Sequence, residues 1–460
     1  MTLWQTIRSA LRGEQHDLTK APLNRAIVLL AVPMVLEMVM ESLFAVCDIF
    51  WVSKLGDEAV AAVGLTESVM SLYYALAFGL AMAATAMVSR RIGKNDSDAA
   101  ARAGVQGIYT CVVIGIVTGA LCLVFADQIL KAMGAEDEAI AMGTDYARIQ
   151  LGGNLIVLLL FMNNAIFRGA GDAAIAMKTL WLANGINIVL DPILIFGWGP
   201  IPAMGLTGAA VATLTGRGIG VLYQLRALHS DSTRIRLNRQ RWALNPSLMR
   251  RLITVSLGGV GQMIIATTSW ALLMRIMAQF GSAAVAGYTI GIRVIIFTIL
   301  PSWGLSNAAA TLVGQSLGAG DPDRAVRSVF VTGMYNMCFL GLIMITFLVG
   351  APRIITIFTQ DPEVARYAIA CLRIISLVYI PYAWAMVLMQ AFNGSGDTTT
   401  PTWINFVAFW LIQLPFAWIV TGHFNFGPNG VFWAVCLADL VFVAFAVPVF
   451  LQGRWKHRQI

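Results

Sequence analysis

Twelve apolar stretches divide this chain of 460 residues, near 27–52, 60–88, 104–126, 146–167, 175–197, 206–227, 252–276, 283–313, 328–350, 367–392, 403–422 and 430–451. Each is about 20 residues or longer, enough for a helix to cross a hydrocarbon core of about 30 Å. Lipid offers no partner to a free backbone amide, so the spans must be helices, with every N–H paired inside its own segment. Charged residues make up only 12% of the chain, against about a quarter in a soluble domain. They gather between the stretches. The fold class expected is an all-α membrane protein with twelve transmembrane helices.

The basic residues set the sidedness. With the N-terminus in the cytoplasm, cytoplasmic segments carry about 22 of the 31 Lys and Arg and the opposite loops about four, as the positive-inside rule requires. Both termini are then cytoplasmic, and the expected location is a bacterial-type inner membrane. This placement explains the net charge of +7 without any nucleic-acid partner. The expected layout is an N-terminal tail over 1–26, an N-lobe over 27–227, a basic linker over 228–251, a C-lobe over 252–451 and a tail over 452–460. In the first tail, Leu3, Trp4, Ile7 and Leu11 repeat at helical spacing around Arg8 and Arg12, a pattern for a helix lying in the interface. The linker holds Arg234, Arg236, Arg239 and Arg241. All six cysteines sit in apolar stretches without metal-ligand spacing and read as small buried hydrophobes. The four histidines lie in tails and loops, which leaves no intramembrane histidine relay.

The halves repeat. At an offset of 225 residues, Leu55-Gly56 matches Phe280-Gly281, Phe78-Gly79-Leu80 matches Trp303-Gly304-Leu305, and Gly93 and Asp98 match Gly318 and Asp323. Arg168-Gly169-Ala170-Gly171-Asp172 likewise matches Asn393-Gly394-Ser395-Gly396-Asp397. At a slightly shorter offset, Gly205-x-x-Gly208 matches Gly427-x-x-Gly430. Six helices per half give both halves the same orientation, related by an axis along the membrane normal. Two such lobes around a central cleft suit alternating access.

Ionisable groups inside a bilayer cost several kcal/mol and mark function. The first span carries Glu37, Glu41 and Asp48, which helical spacing keeps on one face, after a bend-prone Pro33. The fifth carries Asn184, Asn187 and Asp191 on one face, followed by Pro192, whose missing N–H frees the carbonyl of Ile188. A carboxylate, two amides and a free carbonyl suit a proton or a hard cation such as sodium. Asn163, Asn164 and Thr213 are further oxygen donors. Glu37 and Glu41 are placed at the edge of a substrate cleft. Equivalent acids are missing from the second half, where Asp48 corresponds to Leu273 and Glu37 to Gln262. The one acid deep in a second-half span is Asp439, with Arg275, Arg293 or Arg373 as candidate partners, or a place at the cytoplasmic end of the cleft. Seven second-half tryptophans read mainly as interfacial belt, a few as cleft lining able to stack on flat cations.

Taken in order, Pro33, Cys47-Asp48-Ile49-Phe50-Trp51, Phe167-Arg168-Gly169-Ala170-Gly171-Asp172, Asn184-x-x-Asn187-x-x-Leu190-Asp191-Pro192 and Gly208-Ala209-Ala210-Val211-Ala212-Thr213 resemble the multidrug and toxic compound extrusion (MATE) transporters over nearly the whole chain. The resemblance implies twelve helices in two lobes that rock between inward- and outward-facing states. It implies export of small organic cations driven by H⁺ or Na⁺, by a monomer without other cofactors. It places the cation on Asp48, Asp191, Asn187 and Thr213; with Na⁺, the metal ligands would be Asp48, Asp191 and Asn187. The branch that relies on acids in helices seven and eight is not matched, which points to the N-lobe type. Neutralising Asp48 and Asp191 would then change the favoured bend of the first helix.

Two other readings compete. A lipid-linked oligosaccharide flippase of the same broad superfamily needs a cationic cleft, and the first half is acidic. An intramembrane enzyme would need a partner motif for Asp48 and Asp191, and none is present, so the chain reads as a transporter. A nucleotide-driven pump would carry a G-x-x-x-x-G-K-[ST] loop, which the sequence lacks.

Overall fold

Some helices open on a short polar side chain and others close on a glycine, and both devices recur at the repeat distance. The Asp96 carboxylate accepts from the Ala99 N–H at 2.8 Å, and Asp321, 225 residues on, accepts from the Arg324 N–H at 2.8 Å. Gly171 and Gly396 end equivalent helices in the left-handed region, with φ of 92° and 88°. In the computed structural model, residues 2–134, 137–230, 233–237, 242–422, 424, 426–458 and 460 are described, without the side chains of 137 and 139. Arg239 and Arg241 of the linker, and His423, lie outside them.

The chain is helical throughout, with one isolated β-bridge between Trp198 and Ile201 among the described residues. An amphipathic α1 (Leu3–Arg12) starts on a capping box of Thr2 and Gln5 and leaves Leu3 and Trp4 exposed. The first six spans are α2 (Leu23–Val52), α3 (Asp57–Gly93), α4 (Ser97–Ala132), α5 with α6 (Asp137–Gly152 and Asn154–Ala170), α7 (Ala173–Phe196) and α8 (Gly205–Leu228). Their counterparts are α9 (Pro246–Met277), α10 (Ser282–Gly318), α11 (Pro322–Ile355), α12 with α13 (Pro362–Ser376 and Tyr379–Ser395), α14 to α15 (Thr399–Asn405 and Leu414–Gly422) and α16 (Asn429–Leu451). Helices α3 and α10 are displaced by 225 at both ends, and so are α6 and α13.

Several spans, the fourth, tenth and eleventh among them, are less regular than their hydropathy suggests. The fourth is broken at Gly153, and the tenth bends by 61° between Ser376 and Tyr379. In the eleventh, Phe406–Gln413 winds as a π-helix between α14 and α15. Helix α8 carries a charge, Arg217, through its middle.

The lobes meet along the half of the molecule that carries both termini. Glycine lets the backbones touch there: a Cβ on Gly79 would stand 2.7 Å from the Ser256 carbonyl, and one on Gly304 2.6 Å from the Met34 carbonyl. Gly93 and Gly318 leave room only for the carbonyls of Gln315 and Arg90. Hydrogen bonds close the same half: Gln315 donates to the Gly169 carbonyl at 3.0 Å, Thr311 to that of Arg168 at 3.0 Å, and Arg90 to that of Ser395 at 3.2 Å. In the other half of α2, Leu43, Val46, Ile49 and Phe50 are exposed.

Candidate functional site

Inside the N-lobe, three helices supply a compact oxygen cluster. On α7 the Asn187 amide donates to the Asp191 carboxylate at 3.1 Å and, across to α8, to the Thr213 hydroxyl at 3.1 Å. The step of four residues places Asn187 directly over Asp191 on the buried face of α7. Asp191, Asn187 and Thr213 are 0%, 1% and 3% exposed, so nothing solvates them from outside. One Asp191 oxygen (Oδ2) and the Asn187 carbonyl (Oδ1) have no hydrogen-bond partner. A buried acceptor without a donor is costly, and two together form a cradle that a proton or small cation would satisfy. Asp48, largely buried on α2, makes no hydrogen bond or ion pair among the described residues, and it stands in the electrostatic field of Asp191, Glu67 and Arg217.

The other candidates fall into two separate groups. Glu37 is 1% exposed and pairs with Arg168 at 3.6 Å while accepting from Asn164 at 3.3 Å. Gln224 extends the chain, donating to Asn164 at 2.7 Å and accepting from Asn163 at 3.1 Å. Glu41 accepts from Asn184 at 3.0 Å and faces Arg217 at 3.9 Å. Asn164 and Asn184, expected among the cation donors, therefore spend their amides on Glu37 and Glu41. Glu37 is sealed inside the lobe rather than set at the edge of a cleft. Pro33 and Pro192 both lie inside continuous helices.

Arg217 is a buried charge that the sequence reading passed over. It is 5% exposed, donates to the Tyr74 hydroxyl at 3.1 Å, lies over the Phe44 ring at 5.4 Å and stands opposite Glu41. Glu67 on α3, in the electrostatic reach of Arg217, was passed over with it. The signal was present in both cases, because each is a charge inside an apolar stretch, the criterion that singled out Asp48.

In the C-lobe, Asp439 pairs with none of Arg275, Arg293 and Arg373; among the described residues it has no ion pair or hydrogen bond. It lines a cavity of about 380 Å³ walled by Trp270, Trp303, Tyr379, Tyr382 and Phe409. The six cysteines are all free thiols, five of them wholly or partly buried and Cys338 exposed. No His, Cys, Asp and Glu cluster of metal-site type occurs among the described residues.

Known proteins resemble this chain along its length. It is 27% identical to a probable multidrug resistance protein NorM of Thermotoga maritima over 95% of this chain and 94% of that protein. It is 25% identical to an FAD transporter of Shewanella oneidensis over 93% and 94% of the two chains. A solved outward-facing multidrug resistance MATE family transporter of the MOP superfamily superposes with a TM-score of 0.88 at 26% identity, covering 95% of this chain and 96% of that one. The MatE family model matches residues 33–193 and 260–419, one stretch in each lobe, and with twelve helices in two six-helix lobes this multi-pass membrane protein belongs to the MatE family of transporters.

Proposed function

We propose that this chain is a multidrug efflux transporter, exporting small organic cations across the inner membrane in exchange for H⁺ or Na⁺. The observation that carries the reading is the buried Asp191–Asn187–Thr213 cluster with two unpartnered oxygens, close to the unpaired carboxylate of Asp48. With both termini cytoplasmic, as the distribution of basic residues supports, the lobes touch at the cytoplasmic end and the conformation is outward-facing. An ion arriving from outside then meets Asp48 first and Asp191 next. Its binding removes negative charge from the face of α2 below Pro33. Only the difference in ion affinity between the two states can drive the switch, and two buried acceptors satisfied in one state supply such a difference.

An FAD transporter among the relatives raises the possibility of an anionic cargo. The N-lobe supports it poorly, because Arg168 and Arg217 are each already opposed by a glutamate.

The test is efflux of a fluorescent organic cation from energised vesicles under a proton gradient and a sodium gradient imposed separately. One gradient drives transport, and Asp48→Asn and Asp191→Asn each abolish it while the purified variants remain monodisperse. Wild-type rates in both variants would overturn the assignment of the ion site.

A further inference from the structure

We propose that the C-lobe cavity around Asp439 is a binding site for a planar organic monocation, with the Asp439 carboxylate as its counter-charge and the aromatic walls as its stacking surfaces. The proposal rests on the reading of the chain as an exporter of organic cations and assigns that cargo a place.

The two lobes carry opposite designs at equivalent positions. At the 225 offset, Glu41 corresponds to Ala266, Glu67 to Ile292 and Tyr74 to Ile299, and all three second-half residues line the C-lobe cavity. At the offset of 222 that aligns Gly205-x-x-Gly208 with Gly427-x-x-Gly430, Arg217 corresponds to Asp439. In the N-lobe this location is filled by the protein's own charges, since Arg217 is packed against Glu41, Phe44 and Tyr74. In the C-lobe the acids and the arginine are gone, and one carboxylate of opposite sign faces the space they leave. In the N-lobe Arg217 is opposed by Glu41, whereas in the C-lobe Asp439 faces the cavity with no partner among the described residues.

Size and lining decide what kind of cation fits. A volume of about 380 Å³ lies within the range of small-molecule pockets, about 300–1,000 Å³. Trp270, Trp303, Tyr379, Tyr382 and Phe409 form most of the wall, and aromatic faces attract a desolvated cation through their quadrupoles. A bare Na⁺ would need several oxygen ligands. Besides Asp439, the lining offers few, and two of them are committed to each other: the Ser269 hydroxyl donates to the Gln413 side-chain oxygen at 2.8 Å. Asp439 itself is only 8% exposed and has no partner among the described residues, while the buried Tyr379 hydroxyl is also unpartnered. An isolated carboxylate anion in such surroundings is unfavourable unless a proton or a cation comes to it.

The backbone is shaped around this space as well. Phe409 and Gln413 reach the cavity from the π-helical segment Phe406–Gln413, and π-turns inside α-helices concentrate at functional sites. A second cavity of about 130 Å³ meets the first at Trp303, Tyr382 and Asp439 and runs to Gln262 and Gln390 near the lobe interface. Trp303 also packs edge-on against Phe78 of the N-lobe, ring centroids 5.8 Å apart. These two residues are each other's counterparts at the 225 offset, so the cavity wall touches the other lobe at the pseudo-symmetry axis. Cargo and coupling ion would occupy different lobes and communicate through the rocking motion rather than by competing for one carboxylate.

The test is equilibrium binding of ethidium, a planar monocation, to the purified full-length protein in lipid nanodiscs, followed by fluorescence anisotropy. The neutral planar probe 1-aminoanthracene is measured alongside. Asp439→Asn is expected to weaken ethidium by about thirtyfold or more, the usual consequence of removing one partner of a buried charge pair, with 1-aminoanthracene little changed. Asp439→Glu should restore part of the ethidium affinity, and Glu363→Gln, a surface carboxylate, should leave it intact. Ethidium affinity within twofold of wild type in Asp439→Asn would overturn the proposal, as would equal losses for both probes, which would mean a packing defect. The outcomes also separate the site from the transport reading. Ethidium binding lost in Asp439→Asn, with no gradient-driven efflux in the wild type, would sustain the site and reject the exporter. Efflux present and unaffected by Asp439→Asn would sustain the exporter and reject the site.

Discussion

Glu37 and Arg168 lie 3.6 Å apart with 2% and 12% of their side chains exposed, which makes them a buried ion pair rather than a surface one. Breaking such a pair from one side strands the other charge, whereas removing both is far cheaper. Arg168→Met is therefore expected to destabilise the protein by about 3 kcal/mol or more, and Glu37→Leu combined with Arg168→Met should recover most of that loss. Thermal unfolding of the four proteins of this double-mutant cycle in detergent measures both. Additive losses in the double variant would mean that the two side chains do not act as a pair. The same residues mark how far the sequence could be read. Helical spacing put Asn187 and Asp191 on one face, and they do bond to each other. It could not say which acid each amide would serve, because that depends on how α2, α6 and α7 are rotated against one another. Asn164 and Asn184 went to glutamates for that reason. Arg217 was legible as a charge inside an apolar span; its partners Glu41 and Tyr74 come from other helices and were not.

At the scale of elements, the repeat was legible because caps and turn glycines recur at one spacing, and α3 and α10 keep it to the residue. The π-helical segment was not. Its first seven residues, 406–412, are all apolar, and an i→i+5 winding leaves no periodic trace in such a run. The break at Gly153 and the bend after Ser376 were hidden in the same way, since hydropathy reports length and not axis direction. Glycines at helix crossings have a clearer consequence. A side chain at Gly318 would overlap the Arg90 carbonyl across the lobe interface, and the obstruction is backbone, which cannot swing aside. Gly318→Val should therefore separate α10 from α3 at the end bearing the termini and shift the population towards the state open there. Spin labels at Lys94 and Ala319, equivalent positions at the ends of α3 and α10, should show a longer mean distance by pulsed electron paramagnetic resonance. An unchanged distance distribution would mean that the lobes accommodate the side chain by local shifts.

The whole molecule is closed at that same end by more than helix packing, because the N-terminal segment and the linker strap the lobes together. Arg324, at the start of α11, donates to the carbonyls of Leu18 and Ala21 at 2.7 and 2.6 Å. Arg234 of the linker holds the His16 carbonyl, and its backbone N–H donates to the Asp172 carboxylate at 3.0 Å. Among the groups in and beside this strap, Asp172 and His16 respond to pH with opposite sign. Burial pushes Asp172 up to about 6 from an ordinary 3.8, against the opposing hydrogen bond and charge of Arg234. The closed state therefore holds that proton more tightly than an opened, hydrated one. Its contribution favours closure as pH falls through about 6, is complete near 4 and is absent above 6, changing the closed-to-open ratio by at most about tenfold per pH unit. His16 is pushed below its ordinary 6.5 by burial first, then by Arg25 and Arg234, with Glu14 opposing. The open state takes up that proton more readily, so His16 favours opening as pH falls below 6.5. The two effects mask each other in the wild type, and substitution separates them. With the Lys94 and Ala319 labels, acidification from pH 7 to pH 5 should shorten the mean distance in His16→Gln relative to wild type and lengthen it in Asp172→Asn. Titrating groups elsewhere are common to all three proteins and cancel in the comparison. Identical pH responses in the three would mean that the strap follows the lobes passively, and that closure at this end is governed by the helix crossings alone.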